Sequence, residues 1–217
     1  MRRRLGLDIP DTLEDVCDPA AMAVIIYDMQ LGVLGQLPGE GAEEVDRVSR
    51  VLAAARAGGY PVFFTRHMSL PVKLMGRAQL RTAMAWQRAD DPDKVESWFL
   101  RDTPGFQIVP ELSPRADEAV FDKLAMSAFA GTPLEMALRD LGIRAFAIAG
   151  VALEIGIAPT VSHAVDLGLI PVVVTDACGG RDRPAMQRVL EDLRFSGEAL
   201  LTDVSTITPL LARTSAR

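Results

Sequence analysis

Apolar residues along the chain alternate between two patterns. Short runs rich in β-branched and aromatic residues, of the kind buried on both faces of a parallel sheet, are followed by segments whose apolar positions recur at helical spacing. The first run, Met22 to Asp28 ("MAVIIYD"), ends on a charge. Val45, Val48, Leu52 and Ala55 then mark a helix that "AGGY" closes with glycine, where a left-handed cap is wanted. "YPVFFTRH" predicts a second strand and "EAVFDK", Glu118 to Lys123, a third. The next helix covers "GTPLEMALRDLGI", with Thr132 as N-cap, Pro133 at the first helical position and Glu135 completing a capping box. "RAFAIAG" gives strand four, "APTVSHAVDLG" a helix, "IPVVVTDA" strand five, "RPAMQRVLEDLRFSG" a helix and "EALLTDV" strand six. Between strands two and three the pattern fails: Pro71, Pro92, Pro104, Pro110 and Pro114 break up residues 68–116, and only "GRAQLRTAMAWQR" reads as a helix.

This alternation predicts βαβ units with right-handed crossovers, hence an α/β fold: a three-layer α-β-α sandwich with a mostly parallel six-stranded sheet. The boundaries read as an N-terminal extension over residues 1–20 and a single domain over residues 21–213. Ligands of such sheets bind outside the carboxyl ends of the strands. Four places there carry chemistry: Asp28 after strand one, His67 after strand two, Lys123 after strand three, and the turn from Gly150 to Gly156 after strand four. They are expected to converge in one cleft. Taken singly, each has a structural reading as well: Asp28 as a cap, Lys123 as a solvated charge, His67 as a satisfied core histidine, and His163 as a structural residue between Val161 and Val165.

Charge and cysteine usage narrow the function. A formal net charge of -6, with no basic block apart from Arg2 to Arg4, argues against nucleic acid or an anionic membrane as partner. Those three arginines read as a frayed terminus. The two cysteines, Cys17 and Cys178, have neither disulfide-framework nor zinc spacing, which suits a reducing cytoplasm. No apolar segment approaches a spanning helix, and residues 1–20 lack the apolar core of a signal peptide.

Three segments in order, "YDMQ", "DKLAMSAFAGTPLEMALRDLGI" and "AGVALEIGIAPTVSHAVDLGLIPVVVTDACGG", resemble the isochorismatase-like hydrolases, a superfamily that includes nicotinamidases, N-carbamoylsarcosine amidohydrolases and isochorismatases. The resemblance runs from about Ala23 to about Thr208, and the K-x3-SAF-x2-T-x-L block is its most specific part. It implies that Asp28 is the catalytic acid or base and Lys123 its cationic partner. It also implies that Gly156 stands where amidase members carry a nucleophilic cysteine. A non-proline cis peptide is implied at Val151-Ala152, with the N-H groups of Ala152 and Gly156 as an oxyanion hole. An amidase of this kind needs a carboxylate, an ammonium and a thiolate, and here the thiolate is missing. Neither Cys178, Cys17 nor Ser127 of the SAF block replaces it. Isochorismatases resemble this chain in having glycine at that position; their aspartic acid protonates a vinyl ether and water captures the oxocarbenium.

The resemblance also implies limits. True isochorismatases carry a "GVYAHIGC" turn where this chain has "GVALEIGI", with Leu153 and Glu154 in place of Ala and His, so their substrate does not carry over. Nicotinamidases hold a metal through an Asp-x-His-x-x-His site after strand two; "TRHMSLP" offers only His67, so no metal and no cofactor are expected. Arg66, His67, Trp86, Gln87 and Arg88 are the expected pocket lining, an arginine there suiting a carboxylate-bearing substrate. Three functions stay open: a cysteine-independent hydrolase of a small anionic molecule, an amide or carbamoyl hydrolase using activated water, and a catalytically silent binding or assembly protein. In each case the chain is expected to form a homodimer or homotetramer.

Overall fold

The computed structural model describes residues 1–213, apart from the side chain of Glu40. An antiparallel hairpin, β1 (Arg2–Arg4) and β2 (Leu7–Ile9), opens the chain, with α1 (Leu13–Val16) behind it. The arginines expected to fray are therefore paired: Arg2 lies opposite Ile9, and its guanidinium meets Asp11. The alternation of Leu5, Leu7 and Ile9 with charges carried that signal, but every side chain of both strands is exposed.

The central sheet has six strands: β3 (Met22–Tyr27), β4 (Val62–His67), β5 (Ala119–Lys123), β6 (Ala145–Val151), β7 (Ile170–Gly179) and β8 (Leu200–Thr202). They are all parallel, in the order β5-β4-β3-β6-β7-β8. Each expected strand is present. Strand five runs further than its apolar run suggested, because a register shift opposite Ile148/Gly150 lets Cys178 and Gly179 rejoin the ladder.

Six consecutive residues of β3 are buried, as a central strand covered on both faces must be. Its alternate side chains feed two cores. Met22, Val24 and Ile26 pack with Val48, Val51 and Leu52 of α3 (Ala42–Gly58) and with Ile207 and Leu211 of α8 (Val204–Leu211). Ala23, Ile25 and Tyr27 pack on the opposite face with Leu134 and Leu138 of α5 (Leu134–Asp140), Val161 and Ala164 of α6 (Ala158–Asp166), and Leu193 of α7 (Arg183–Ser196). These are the three layers.

Helix α3 closes at Gly59, whose φ of 74° meets the cap the sequence asked for. The α5 start differs from expectation. Pro133 itself is the N-cap; the Thr132 hydroxyl accepts from Leu134 N at 3.3 Å and donates to Ala128 O at 2.5 Å. Glu135 turns outward to Arg139 at 3.0 Å, so no capping box forms. A hydroxyl already bonded back to the preceding turn is not free to reach the third helical N-H.

Residues 68–116 overhang the carboxyl ends of the strands. Helix α4 (Arg77–Gln87) is the predicted one, and Pro92, Pro104 and Pro110 each start a 3-10 turn, where a missing N-H costs nothing. The segment is tied down beside β3: Leu31 of α2 (Leu31–Leu34) donates to Gln107 O at 2.9 Å, and Val109 N donates to Met29 O at 3.0 Å.

Candidate active site

Strand order reverses between β3 and β6, the first strand of the sheet and the strand laid down on its other side, and an open parallel sheet has its crevice there. Asp28 ends β3 and the Val151-Ala152 peptide ends β6, so the two segments singled out in the sequence flank that crevice. A cavity of about 580 Å³ occupies it. Tyr27, Asp28, His67, Val151, Ala152 and Gly156 line its inner side; Trp86, Arg88, Phe99, Met126, Glu154 and Arg181 line its outer part.

Asp28 and Lys123 form the innermost pair. Lys123 belongs to β5, two strands from β3, a gap of about 10 Å that only a long stem can cross. Its Nζ donates to Asp28 Oδ2 at 2.6 Å, with the residues 2% and 5% exposed. Thr65, on the intervening β4, donates its hydroxyl to the other carboxylate oxygen at 2.6 Å. Asp28 has a φ of 48°, in the left-handed region, which breaks strand alternation and turns its carboxylate to these two donors. The Lys123 ammonium also lies 4.3 Å from the centroid of the Tyr27 ring. Ion pairs removed from water are maintained only where additional hydrogen bonds satisfy the charges, and Thr65 supplies one.

His67 is the next residue along β4 but one, paired in register with Lys123. Burial is the main reason its pKa falls to about 4, with Lys123 nearby acting in the same direction and Asp28 opposing. It is neutral at physiological pH and lines the cavity. Its ring meets Trp86 and Phe99 edge-on, centroids 6.1 and 5.7 Å away. Gln30, fully buried, fixes this strand end: its amide oxygen accepts from His67 N at 2.7 Å and its nitrogen donates to His67 O at 3.0 Å.

The turn after β6 is a π-helical turn, Leu153–Ile157, that runs into α6. The Val151-Ala152 peptide is cis, as the resemblance implied. Gly150, at φ 138°, lets the strands close: a Cβ there would lie 2.8 Å from Tyr27 C and N. The oxyanion-hole expectation is corrected in one respect. Gly156 N donates to Ala152 O at 3.0 Å inside the turn and is not free for a ligand.

Two of the expected lining residues lie elsewhere. Arg66 alternates away from His67 on β4; its Nε bonds Asp122 Oδ1 at 2.7 Å and its guanidinium covers the Phe106 ring at 4.3 Å. Gln87 bonds Glu96 through both ends of its amide and borders a neighbouring, smaller cavity of about 180 Å³ instead. His67, Trp86 and Arg88 do line the cleft. Arg88 caps α4 at φ 53°, and neither it nor Arg181 has an ion-pair partner among the described residues.

Sequence reasoning gave no role to Thr65, Gln30, Tyr27 and Arg181, and met Glu154 only as a departure from the isochorismatase turn. A threonine inside the apolar run "FFTRH" was a legible signal for the first; the others become neighbours only on folding. Glu154 is held by Arg181 N at 3.1 Å and Asp182 N at 3.4 Å on Oε1, while its buried Oε2 has no hydrogen-bond partner. Cys17, Cys178 and Ser127 do not line the cleft. Burial raises the thiols of Cys17 and Cys178 to about 11 and about 12, and Ser127 bonds His163 Nδ1 at 2.9 Å away from the cleft. Among the described residues no three His, Cys, Asp or Glu side chains are grouped to hold a metal, and no helix is long and apolar enough to cross a membrane.

The parallel six-stranded α/β sandwich is the fold of the isochorismatase-like hydrolases. The model of the Isochorismatase domain matches residues 22–206, and the chain belongs to that family of hydrolases. It is similar to enterobactin synthase component B of Escherichia coli (strain K12), 28% identical over 214 residues that cover 96% of this chain and 71% of that protein. It is also similar to the isochorismatase family protein YecD of Escherichia coli O157:H7, 30% identical over 161 residues, 72% of this chain and 78% of the other. The crystal structure of an isochorismatase family protein from Desulfovibrio vulgaris subsp. vulgaris str. Hildenborough matches with a TM-score of 0.73 at 27% identity, covering 89% of this chain and 99% of that one.

Proposed function

We propose that the protein hydrolyses a small anionic metabolite without a cysteine nucleophile, with Asp28 as general acid and base and Lys123 as its proton partner. The observation that carries this reading is the sealed Asp28-Lys123 contact of 2.6 Å beside a position 156 that has no side chain. In this reading Lys123 is the proton donor that stands behind the Asp28 carboxylate. In vinyl-ether hydrolysis the proton passes from Lys123 Nζ through Asp28 to the enol-ether carbon, leaving an oxocarbenium. Water adds to it, and the proton released by water returns to the pair. The resulting hemiketal collapses to a carbonyl compound and an alcohol. Thr65 holds the second carboxylate oxygen throughout, which fixes the direction from which Asp28 serves the substrate.

The cleft supports the choice of substrate class. Arg88 and Arg181 stand at its outer part as donors for a carboxylate, and neutral His67 with Trp86 and Phe99 offers faces for an unsaturated or ring-bearing body. The two free thiols support a cytoplasmic site of action, and the general preference for symmetric self-association supports a homodimer or homotetramer.

The test is incubation with isochorismate, an aminodeoxy analogue and a panel of small amides, with Asp28→Asn in parallel. Vinyl-ether turnover lost in Asp28→Asn is the expected result. Amide turnover instead would assign water-based amide or carbamoyl hydrolysis to the same pair, and no turnover with retained ligand binding would make the chain a binding homologue.

A further inference from the structure

Gly156 is more than a missing thiol. A Cβ built on it would lie 2.6 Å from both Cε1 and Cζ of Tyr27 and closer still to the phenol oxygen. The space into which a side chain at 156 must grow is therefore already filled. Its occupant is fixed: Tyr27 is 1% exposed, its hydroxyl donates to Met126 O, and its backbone is locked to Gly150 in the β3-β6 ladder. The far end of a flexible side chain gives way to an intruding methyl; a ring held in a ladder, a core and a hydrogen bond does not. Tyr27 also precedes Asp28 directly, and its ring faces Lys123.

We infer that Tyr27 is the residue that selects the chemistry of this site, because its phenol occupies the volume of the nucleophile and closes the cleft to covalent catalysis from position 156. The inference rests on the proton-transfer reading of Asp28 and Lys123. It adds that the two positions are coupled: glycine at 156 is required by tyrosine at 27, and a thiol is admitted only when the ring is removed. Burial holds the phenol protonated well above its ordinary range, so Tyr27 supplies bulk and a hydrogen-bond donor and no anionic nucleophile of its own.

The experiment compares the full chain with Tyr27→Val, Gly156→Cys and the double variant, by thermal unfolding and by iodoacetamide labelling at pH 7 with the labelled cysteine located by mass spectrometry. Each single variant is expected to lower Tm. The double variant is expected to be no less stable than Gly156→Cys, so that removing the ring is harmful alone and harmless or restorative beside a cysteine. In the double variant the thiol at 156, which opens on the cavity, is expected to label at least about tenfold faster than Cys17 or Cys178, whose thiols burial holds protonated. Additive losses of Tm, or a folded Gly156→Cys that labels equally fast with Tyr27 in place, would overturn the inference. Should Gly156→Cys not fold, a folded double variant supports the coupling and an unfolded one defeats it. Gly156→Ala with Tyr27→Leu repeats the cycle with the smallest intrusion, by Tm alone, where a first variant is lost. None of these readouts uses turnover, so a failure of the proposed reaction appears separately, as Asp28→Asn without effect.

Discussion

The inner end of the cleft and its outer wall share one cavity and are built from opposite materials. The inner end consists of Asp28, Thr65, Lys123 and Tyr27, drawn from three adjacent strands, all nearly inaccessible and each bonded to another or to backbone. The outer wall consists of Trp86, Arg88 and Arg181, which are partly or fully exposed, and of the buried Phe99; they come from a helix end and from loops and make few mutual polar contacts. A group on a strand end is positioned by the whole sheet, and one on the overhanging segment only by local packing. Under the proposed reaction, the chemistry belongs to the rigid end and recognition to the locally packed segment.

The sharpest way to break the comparison is at the inner end. Asp28→Asn is expected to reduce turnover by about 10³-fold or more while leaving the wall's binding of product intact, measured by steady-state kinetics and calorimetry. Lys123→Met leaves a buried carboxylate unpaired and is expected to cost about 3–5 kcal/mol in chemical denaturation. Asp28→Asn combined with Lys123→Met should recover most of that stability and none of the activity. Stability equal to wild type in Lys123→Met would mean the pair is hydrated and the inner end is not sealed.

His67 sits where the two regions meet and gives a pH signature. Its pKa in the folded protein, about 4, lies below the ordinary 6.5, so the unfolded chain binds more protons between these values. Stability is therefore fully present above about pH 6.5 and is lost as pH falls towards about 4, by an amount on the order of 2–3 kcal/mol. His67→Gln should flatten the stability curve across that window relative to wild type; an unchanged slope would show that His67 is not desolvated. In the wall itself, Trp86→Ala is expected to raise KM about tenfold with kcat changed less than about threefold, as loss of a stacking face without loss of chemistry. Arg66→Ala lies outside both regions and should change neither constant, while costing about 1 kcal/mol of stability through its Asp122 and Phe106 contacts.

Much of the inner end is legible in the amino-acid sequence. Asp28, His67 and Lys123 each follow an apolar strand run, and parallel strands must present such residues at one edge, so their convergence follows from topology alone. The turn after β6 is legible as a place at the cleft because a strand gives way there to a helix pattern at glycine. The wall is half legible. Of the residues the sequence points to there, Trp86 and Arg88 border the cleft and Arg66 and Gln87 do not, because proximity within an irregular segment does not decide which side of it faces the cleft. The capping box at Thr132 fails for a related reason: the hydroxyl has a nearer partner in the turn before it.

Local sequence determined the strands, the helices and the layer order, because burial on a sheet or helix face imposes a period that can be read residue by residue. It also determined that position 156 has no nucleophile. Only the tertiary structure decided why: Tyr27 and Gly156 are far apart along the chain and meet because β3 and β6 are neighbours at the switch point. Excluded volume between distant residues leaves no period in the chain, so the Tyr27 ring that a Cβ at position 156 would meet becomes visible only once the sheet has brought the two together.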